Sequence, residues 1–160
     1  LPFTYPRHTG DIMHYDYKFS STIQQRKPSK ITYNGYNPQW PFGFGLSYTN
    51  FHLDSIELST KEITDGDSLI VFASVSNTGS IDGSKNIDLF ISDEYASISP
   101  ANKKLKSFTK VNLESGESTK ISFLLTSEDF AYINDSGERI LEKGTFIIEI
   151  LNKKIKINLI

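Results

Sequence analysis

The side chains able to do chemistry in this sequence are scattered rather than grouped. Its three histidines, His8, His14 and His52, lack the i, i+4 or short-loop spacing of a zinc site, so surface or hydrogen-bonded histidines are expected. Cysteine is absent, which removes disulfides, thiol nucleophiles and thiolate metal sites together. Asp65-Gly66-Asp67 opens like a calcium loop, but the further oxygen ligands at alternate positions do not follow, and a hairpin turn accounts for it. No G-x-S-x-G elbow anchors an acyl-transfer serine. Gly43-Phe44-Gly45 is half of a dinucleotide fingerprint, with Tyr48 at the third glycine position and no βαβ pattern around it. Glycines that let the backbone turn closely beneath aromatic rings explain it better. Asn134-Asp135-Ser136 fits the N-glycosylation pattern and equally an ordinary turn. Asp93 and Glu94 are adjacent at a strand end and should point to opposite faces, which disqualifies them as a general acid–base pair. No catalytic, cofactor-binding or metal residue is assigned, no cofactor is expected, and substrate-binding residues stay open.

The elements that would have to position any site are strands. Leu69, Val71, Ala73 and Val75 alternate with Ile70, Phe72, Ser74 and Ser76. The same period of two runs through Ile87-Leu89-Ile91, with Asp88, Phe90 and Ser92 as the outward set. It recurs in Ile121-Phe123-Leu125, Phe146-Ile148-Ile150 and Ile155-Ile157-Leu159. Such alternation places one set of side chains on a buried face and the other towards solvent. Asp65-Gly66, Asn77-Thr78-Gly79, Asp82-Gly83, Ser115-Gly116, Ser136-Gly137 and Lys143-Gly144 punctuate the runs, with glycine expected to supply positive φ. Seven or so short strands so spaced predict an all-β, immunoglobulin-like sandwich over residues 51–160, with a barrel as the lesser alternative. Ser127-Glu128-Asp129-Phe130 predicts a capped helical turn.

Residues 1–50 are different. They hold 11 of the 20 aromatics and five of the six prolines, without a sustained helical or strand period. Five Lys and Arg against Asp11 and Asp16 make this part +3, whereas twelve against seventeen acids make the rest −5. Fifty such residues could not bury their own rings as a separate domain. They predict the tail of a larger domain, with Trp40, Phe42, Phe44 and Tyr48 as interdomain core rather than a sugar-stacking platform. The chain starts at Leu1-Pro2-Phe3, as if cut inside something longer, so any export signal is expected upstream. A net charge of −2 gives no electrostatic case for nucleic acid, and no apolar run approaches a membrane span, so neither partner is expected.

Pro41-Phe42-Gly43-Phe44-Gly45-Leu46-Ser47-Tyr48-Thr49-Asn50-Phe51 resembles the connector of glycoside hydrolase family 3, whose usual form reads P-F-G-[YFH]-G-L-S-Y-T-x-F. Leu1-Pro2-Phe3-Thr4-Tyr5-Pro6-Arg7 is similar to the L-P-x-T-x-P-R that ends a late strand of the family's α/β domain. Gly10, Ile12 and Tyr15 fall where the family shows G-Q-I-P-x-Y-Y, with Asp11 and Met13 departing from it. Downstream, Val75-Ser76-Asn77-Thr78-Gly79 and Gly83 resemble the V-x-N-T-G…G opening of the family's fibronectin-III-like domain, and Leu89-Phe90-Ile91-Ser92-Asp93 its L-Y-[IV]-x-D strand. Lys104 to Val111 matches the last eight positions of K-x-L-K-x-F-x-K-V, Leu113, Gly116 and Glu117 an L-x-x-G-E turn, and Glu142 to Phe146 an E-P-G-x-F in which Lys143 replaces proline. The resemblance runs in order along essentially the whole chain.

What the resemblance implies is a fibronectin-III-like sandwich, residues 51–160, preceded by the tail of an α/β sandwich domain and an aromatic connector, residues 1–50. It implies a parent that is an exo-acting retaining β-glycosidase of β-glucosidase type, sometimes a β-xylosidase. The family's nucleophilic Asp and acid/base Glu lie on domains upstream of this stretch, so the motifs carry no catalytic residue onto it. The chain alone is expected to be an inactive accessory domain whose partners are those upstream catalytic domains, with carbohydrate met only through them. Asn34 to Trp40 is similar to secreted or periplasmic bacterial members and implies a periplasmic or extracellular location. The alternative is a stand-alone carbohydrate-binding or protein-interaction module.

Overall fold

The computed structural model describes residues 1–10, 14–17 and 37–160. Seven long strands carry the sandwich: β1 (Phe51–Leu58), β3 (Ser68–Asn77), β4 (Gly83–Asp93), β5 (Lys104–Leu113), β6 (Ser118–Thr126), β9 (Gly144–Ile150) and β10 (Lys153–Leu159). Three two-residue strands complete them: β2 (Glu62–Ile63), β7 (Tyr132–Ile133) and β8 (Arg139–Ile140). One sheet runs β1-β3-β6, the other β2-β10-β9-β4-β5, and β7 and β8 form a separate small hairpin. All pairings are antiparallel except that of β2 with β10.

The period-two pattern explains the packing. Leu69, Val71, Ala73 and Val75 of β3 are buried and face Ile87, Leu89 and Ile91 of β4 and Phe146, Ile148 and Ile150 of β9 across one core. Fully burying an aliphatic side chain of this size stabilises by about 1.5–3 kcal/mol, so this shared core dominates the fold. The outward set behaves as alternation predicts at Ile70 and Phe72, which are exposed. It fails at Phe90, which is only 8 % exposed although it belongs to the outward face of β4. A second layer, which includes Phe42 and Tyr15, covers it from outside.

The capped turn at Ser127–Phe130 is a 3-10 turn entered through Thr126. The Thr126 amide donates to Asp129 Oδ2 at 2.9 Å, and Phe130 drops into the core edge-on against Phe146 at 5.1 Å. The glycines divide into two kinds. Gly66, Gly116 and Gly137 take positive φ at tight turns as predicted. Gly79, Gly83 and Gly144 do not, which corrects the expectation for those three. Gly144 simply opens β9, while Gly79 and Gly83 are pressed against Thr49.

Two bulges adjust the strands. One lies between Leu53 and Ser55 of β1, and the other on β5 opposite Leu89 and Phe90, where Lys106 is the extra residue. A bulge bends its strand and re-aims the side chains beside it. Lys106 thereby comes to line a cavity at the sandwich edge.

Candidate functional site

Two features stand out on the surface: an aromatic layer laid over β4, and a cavity next to it. In the layer, residues 1–7 lie antiparallel to the stretch that begins at Asn37. The Tyr5 amide donates to Trp40 O at 2.8 Å, the Gln39 amide to Tyr5 O at 2.9 Å, and the Gly43 amide to Leu1 O at 2.9 Å. Arg7 donates through its guanidinium to the carbonyls of Asn37 and Pro38. The rings then follow in series: Tyr5 lies tilted against Trp40 at 5.0 Å, and Trp40 stacks on Phe44 at 6.2 Å.

Phe42 is the ring that joins this layer to the sandwich. It stacks on Tyr15 at 4.5 Å and meets Phe90 edge-on at 6.2 Å, while the Lys103 ammonium sits 4.3 Å over the same Phe90 ring. Lys103 is itself paired to Glu149 at 2.7 Å. Burial raises the Glu149 carboxyl, but hydrogen bonds and charge from Lys103 and Lys154 outweigh it and hold the group below the ordinary glutamate range. Gly43 takes φ 79 so that the chain can turn after Phe42, and a Cβ there would lie 3.2 Å from Asp88 Oδ2. Burial pushes the Asp88 carboxyl above its ordinary range. The outer side of the layer stays open, since Leu1, Phe3, Tyr5 and Trp40 are exposed, as are Leu46 and Tyr48.

The cavity has a volume of about 290 Å³ and lies between the β4–β5 loop, the start of β5 and residues 129–133. Its walls mix apolar groups such as Ile98 and Ile133 with Asp16, Asp93, Lys106 and Asp129. Burial lowers the Lys106 ammonium, whose nearest carboxylate contact is Asp129 at 3.9 Å. Burial likewise raises Asp93, and repulsion from Glu142 adds to that rise. Glu142 moves the opposite way, held low by hydrogen bonds from the Ser97 hydroxyl and amide and from Tyr132. A pair of carboxyls pushed apart in this manner resembles an acid–base arrangement. Its geometry serves a loop instead: Glu142 takes both its Ser97 donors from the β4–β5 loop, and Asp93 Oδ1 caps the Tyr95 amide at 3.1 Å.

Comparison with known proteins places these features. The family profile of the fibronectin type III-like domain matches residues 87–153. A putative beta-xylosidase of Formosa agariphila is 35% identical over 151 residues, which is 94% of this chain and 19% of that protein. A periplasmic beta-glucosidase of Salmonella typhimurium is 33% identical over 91% of this chain and 20% of its own length. The crystal structure of a beta-glucosidase from Listeria innocua superposes with a TM-score of 0.88 at 30% identity, over 99% of this chain and 24% of that one. The sandwich is a fibronectin type III-like domain of the glycoside hydrolase family 3 kind. The chain spans about a fifth of the length of the curated relatives it matches.

Within this fibronectin type III-like domain and its leading segment, the residues considered from sequence separate widely. His8, His14 and His52 are all exposed, and among the described residues no three His, Asp or Glu side chains group as a metal site. Asp67 of the Asp65-Gly66-Asp67 turn receives the Thr64 amide and hydroxyl, each at 2.7 Å, which holds its carboxyl below the ordinary range. That carboxylate closes a turn. Asn134 caps the β7–β8 hairpin, its Oδ1 accepting the amides of Ser136 and Glu138. Asp93 and Glu94 turn to different partners, Glu94 pairing with Lys156 at 2.8 Å. Of the family motif stretches, Asp11, Ile12, Met13 and Asn34–Tyr36 lie outside the described residues. Sequence reasoning missed Lys103, Ser97 and Glu149 and gave Glu142 a place in a motif but no partner, because the partners lie 45 or 46 positions away along the chain. The K-x-L-K and E-x-G-x-F motifs begin at Lys103 and Glu142 themselves, and that was the one signal available.

Proposed function

We propose that this chain is the C-terminal, non-catalytic part of an exo-acting retaining β-glycosidase of β-glucosidase type that hydrolyses terminal β-linked sugars. Residues 1–50 are the end of its α/β catalytic domain with the connector, and residues 51–160 are the accessory domain. The observation that carries this reading is the aromatic layer. It is seated on the sandwich through Phe42 and Phe90, yet its other side leaves Leu1, Phe3, Tyr5 and Trp40 exposed. An isolated soluble domain gains nothing from such a face, whereas a buttress needs one to hold the catalytic domains. The glycosidase names and far greater length of the relatives support the same reading. The periplasmic relative supports a periplasmic or extracellular location. Carbohydrate then reaches the protein at the upstream domains, and no sugar contact is assigned to the sandwich.

The test is enzymatic. The chain alone is expected to leave an aryl β-glucoside intact, and the same chain fused in frame to its upstream barrel and α/β domains is expected to hydrolyse it. Intrinsic turnover by the chain alone would overturn the reading. Specific oligosaccharide binding at micromolar strength by the chain alone would replace it with a carbohydrate-binding module.

A further inference from the structure

From Gly45 to Asn50 the connector is exposed at every position but one. Thr49 is 6 % exposed, immediately before β1 begins. Its hydroxyl donates to Asn77 Oδ1 at 2.5 Å, and Asn77 is itself 1 % exposed. The Asn77 amide is used on every side. Its oxygen also accepts the Gly79 amide at 3.1 Å, and its nitrogen donates to the carbonyls of Ile81 at 2.8 Å and Leu113 at 3.2 Å. One buried side chain thus ties together the connector, the β3–β4 turn and the end of β5.

Two glycines shape the space around Thr49. A Cβ at Gly79 would overlap the Thr49 hydroxyl and lie 2.9 Å from the Asn50 nitrogen, and one at Gly83 would lie 2.5 Å from Thr49 Cγ2. Neither glycine has positive φ, so turn conformation does not require them. Their requirement is the close approach of the threonine side chain and the connector backbone. The Asn50 carbonyl is held in turn by the Thr78 amide at 2.8 Å.

We infer that Thr49, Asn77, Gly79 and Gly83 form a lock-and-socket joint that fixes the direction in which the connector leaves the sandwich. The joint is a rigid coupling and not a hinge. Buried hydrogen bonds that satisfy every donor and acceptor specify one geometry, because any alternative leaves a polar group unpaired. Glycine-rich flanks at Gly43 and Gly45 would otherwise leave the connector free to swing. The joint sets the position from which Phe42 reaches Phe90, and so the orientation of everything attached upstream. This inference concerns the joint itself and holds whatever chemistry the upstream part performs.

Trp40 is the single tryptophan and sits on the connector side of the joint, tilted against Tyr5 and stacked on Phe44. Its time-resolved fluorescence anisotropy, with amide exchange at Thr78 and Gly79, reads the joint directly in this chain. The parent chain is expected to show Trp40 depolarising only with overall tumbling. Thr49→Val keeps the shape but removes the hydroxyl, and Gly79→Ala blocks the socket. Both are expected to add a faster depolarising component and to speed exchange at Thr78 and Gly79 at least tenfold, with exchange at Leu89 and Ile148 unchanged. Thr49→Ser, which retains the hydroxyl, is expected to keep the slow decay. A large fast component in the parent chain would overturn the inference. So would unchanged anisotropy and exchange in both Thr49→Val and Gly79→Ala, or loosening that spreads equally to Leu89 and Ile148.

Discussion

Leu89 and Phe90 are neighbours on β4, and both are buried, but by different regions of the molecule. Leu89 is enclosed between two sheets by side chains of its own domain. Phe90 is enclosed from outside by Phe42, Tyr15 and the Lys103 ammonium, two of which arrive from the leading segment. The sandwich closes its own core. Among the described residues of the leading segment there is no closed core, and its rings bury one face on the sandwich while Tyr5 and Trp40 keep the other open. The difference separates a region that folds on its own hydrophobic effect from one whose stability is borrowed from its neighbours.

Truncation should expose that asymmetry most strongly in the core. Leu89→Ala or Ile148→Ala removes a fully buried side chain, and chemical denaturation is expected to show a loss of about 3–4 kcal/mol. Trp40→Ala on the open layer is expected to change the same transition by less than about 1 kcal/mol, since Trp40 and its neighbour Tyr5 are already exposed. An equal loss at both sites would make the two regions one cooperative unit and break the comparison.

Phe90→Ala tests the contact between the regions. A loss of about 2 kcal/mol is expected, at or below the lower end for a buried phenylalanine because two rings and an ammonium cover it rather than a closed core. Ring-current shifts of Tyr15 should collapse at the same time, while core shifts at Ile148 persist. If the Tyr15 shifts persist, Phe90 is not what seats the leading segment.

Acid provides a smaller probe. Glu149 is held low by Lys103 and Lys154, and a carboxyl depressed in the folded state contributes stability above its unfolded pKa that is lost as pH falls through the folded value. As pH falls below the ordinary glutamate range the Lys103 clamp over Phe90 is therefore expected to weaken, and Glu149→Gln should flatten that part of the stability profile. Asp88 and Asp93 act in the other direction. Their raised folded pKa values mean that ionisation opposes folding, so their cost appears as pH rises from the unfolded towards the folded value. A stability profile that keeps its acid slope in Glu149→Gln would assign the slope elsewhere.

The smallest effect is local. Glu142 holds the Ser97 amide and hydroxyl, and its carboxyl is depressed by those bonds. Glu142→Gln is expected to speed exchange at Ser97 by several-fold at neutral pH, and acidification below the ordinary glutamate range should do the same in the parent chain. Global unfolding should barely move, because the loop sits outside the core. A shift in the global transition would make the loop part of the core unit.

Much of the sandwich was legible because local rules and tertiary burial agree there. The alternation at Leu69–Val75 and Ile87–Ile91 names buried residues directly, and five of the seven long strands, β3, β4, β6, β9 and β10, carry the alternation that predicted them. Ser127–Phe130 was legible as a capped turn, and its cap, Thr126 with Asp129, spans only three residues and so needs no tertiary information. The motifs from Pro41 to Phe51 and from Val75 to Gly79 indicated the family for a related reason: their spacing records contacts that local sequence alone does not demand.

Phe90, Gly79 and Gly83 show where that legibility ends. Alternation assigned Phe90 to solvent, since a period of two knows only one buried face. The turn rule assigned positive φ to Gly79 and Gly83, since glycine in a turn usually answers a backbone need. In both cases the deciding neighbour, Phe42 or Thr49, lies more than twenty residues away in the chain. The sequence by itself determined the strands, the closed core and the aromatic character of the connector, because those follow from periodicity and composition. Only the tertiary structure decided which face the connector covers and where it is locked, because a contact between distant residues is set by the packing of the whole and not by the spacing of its parts.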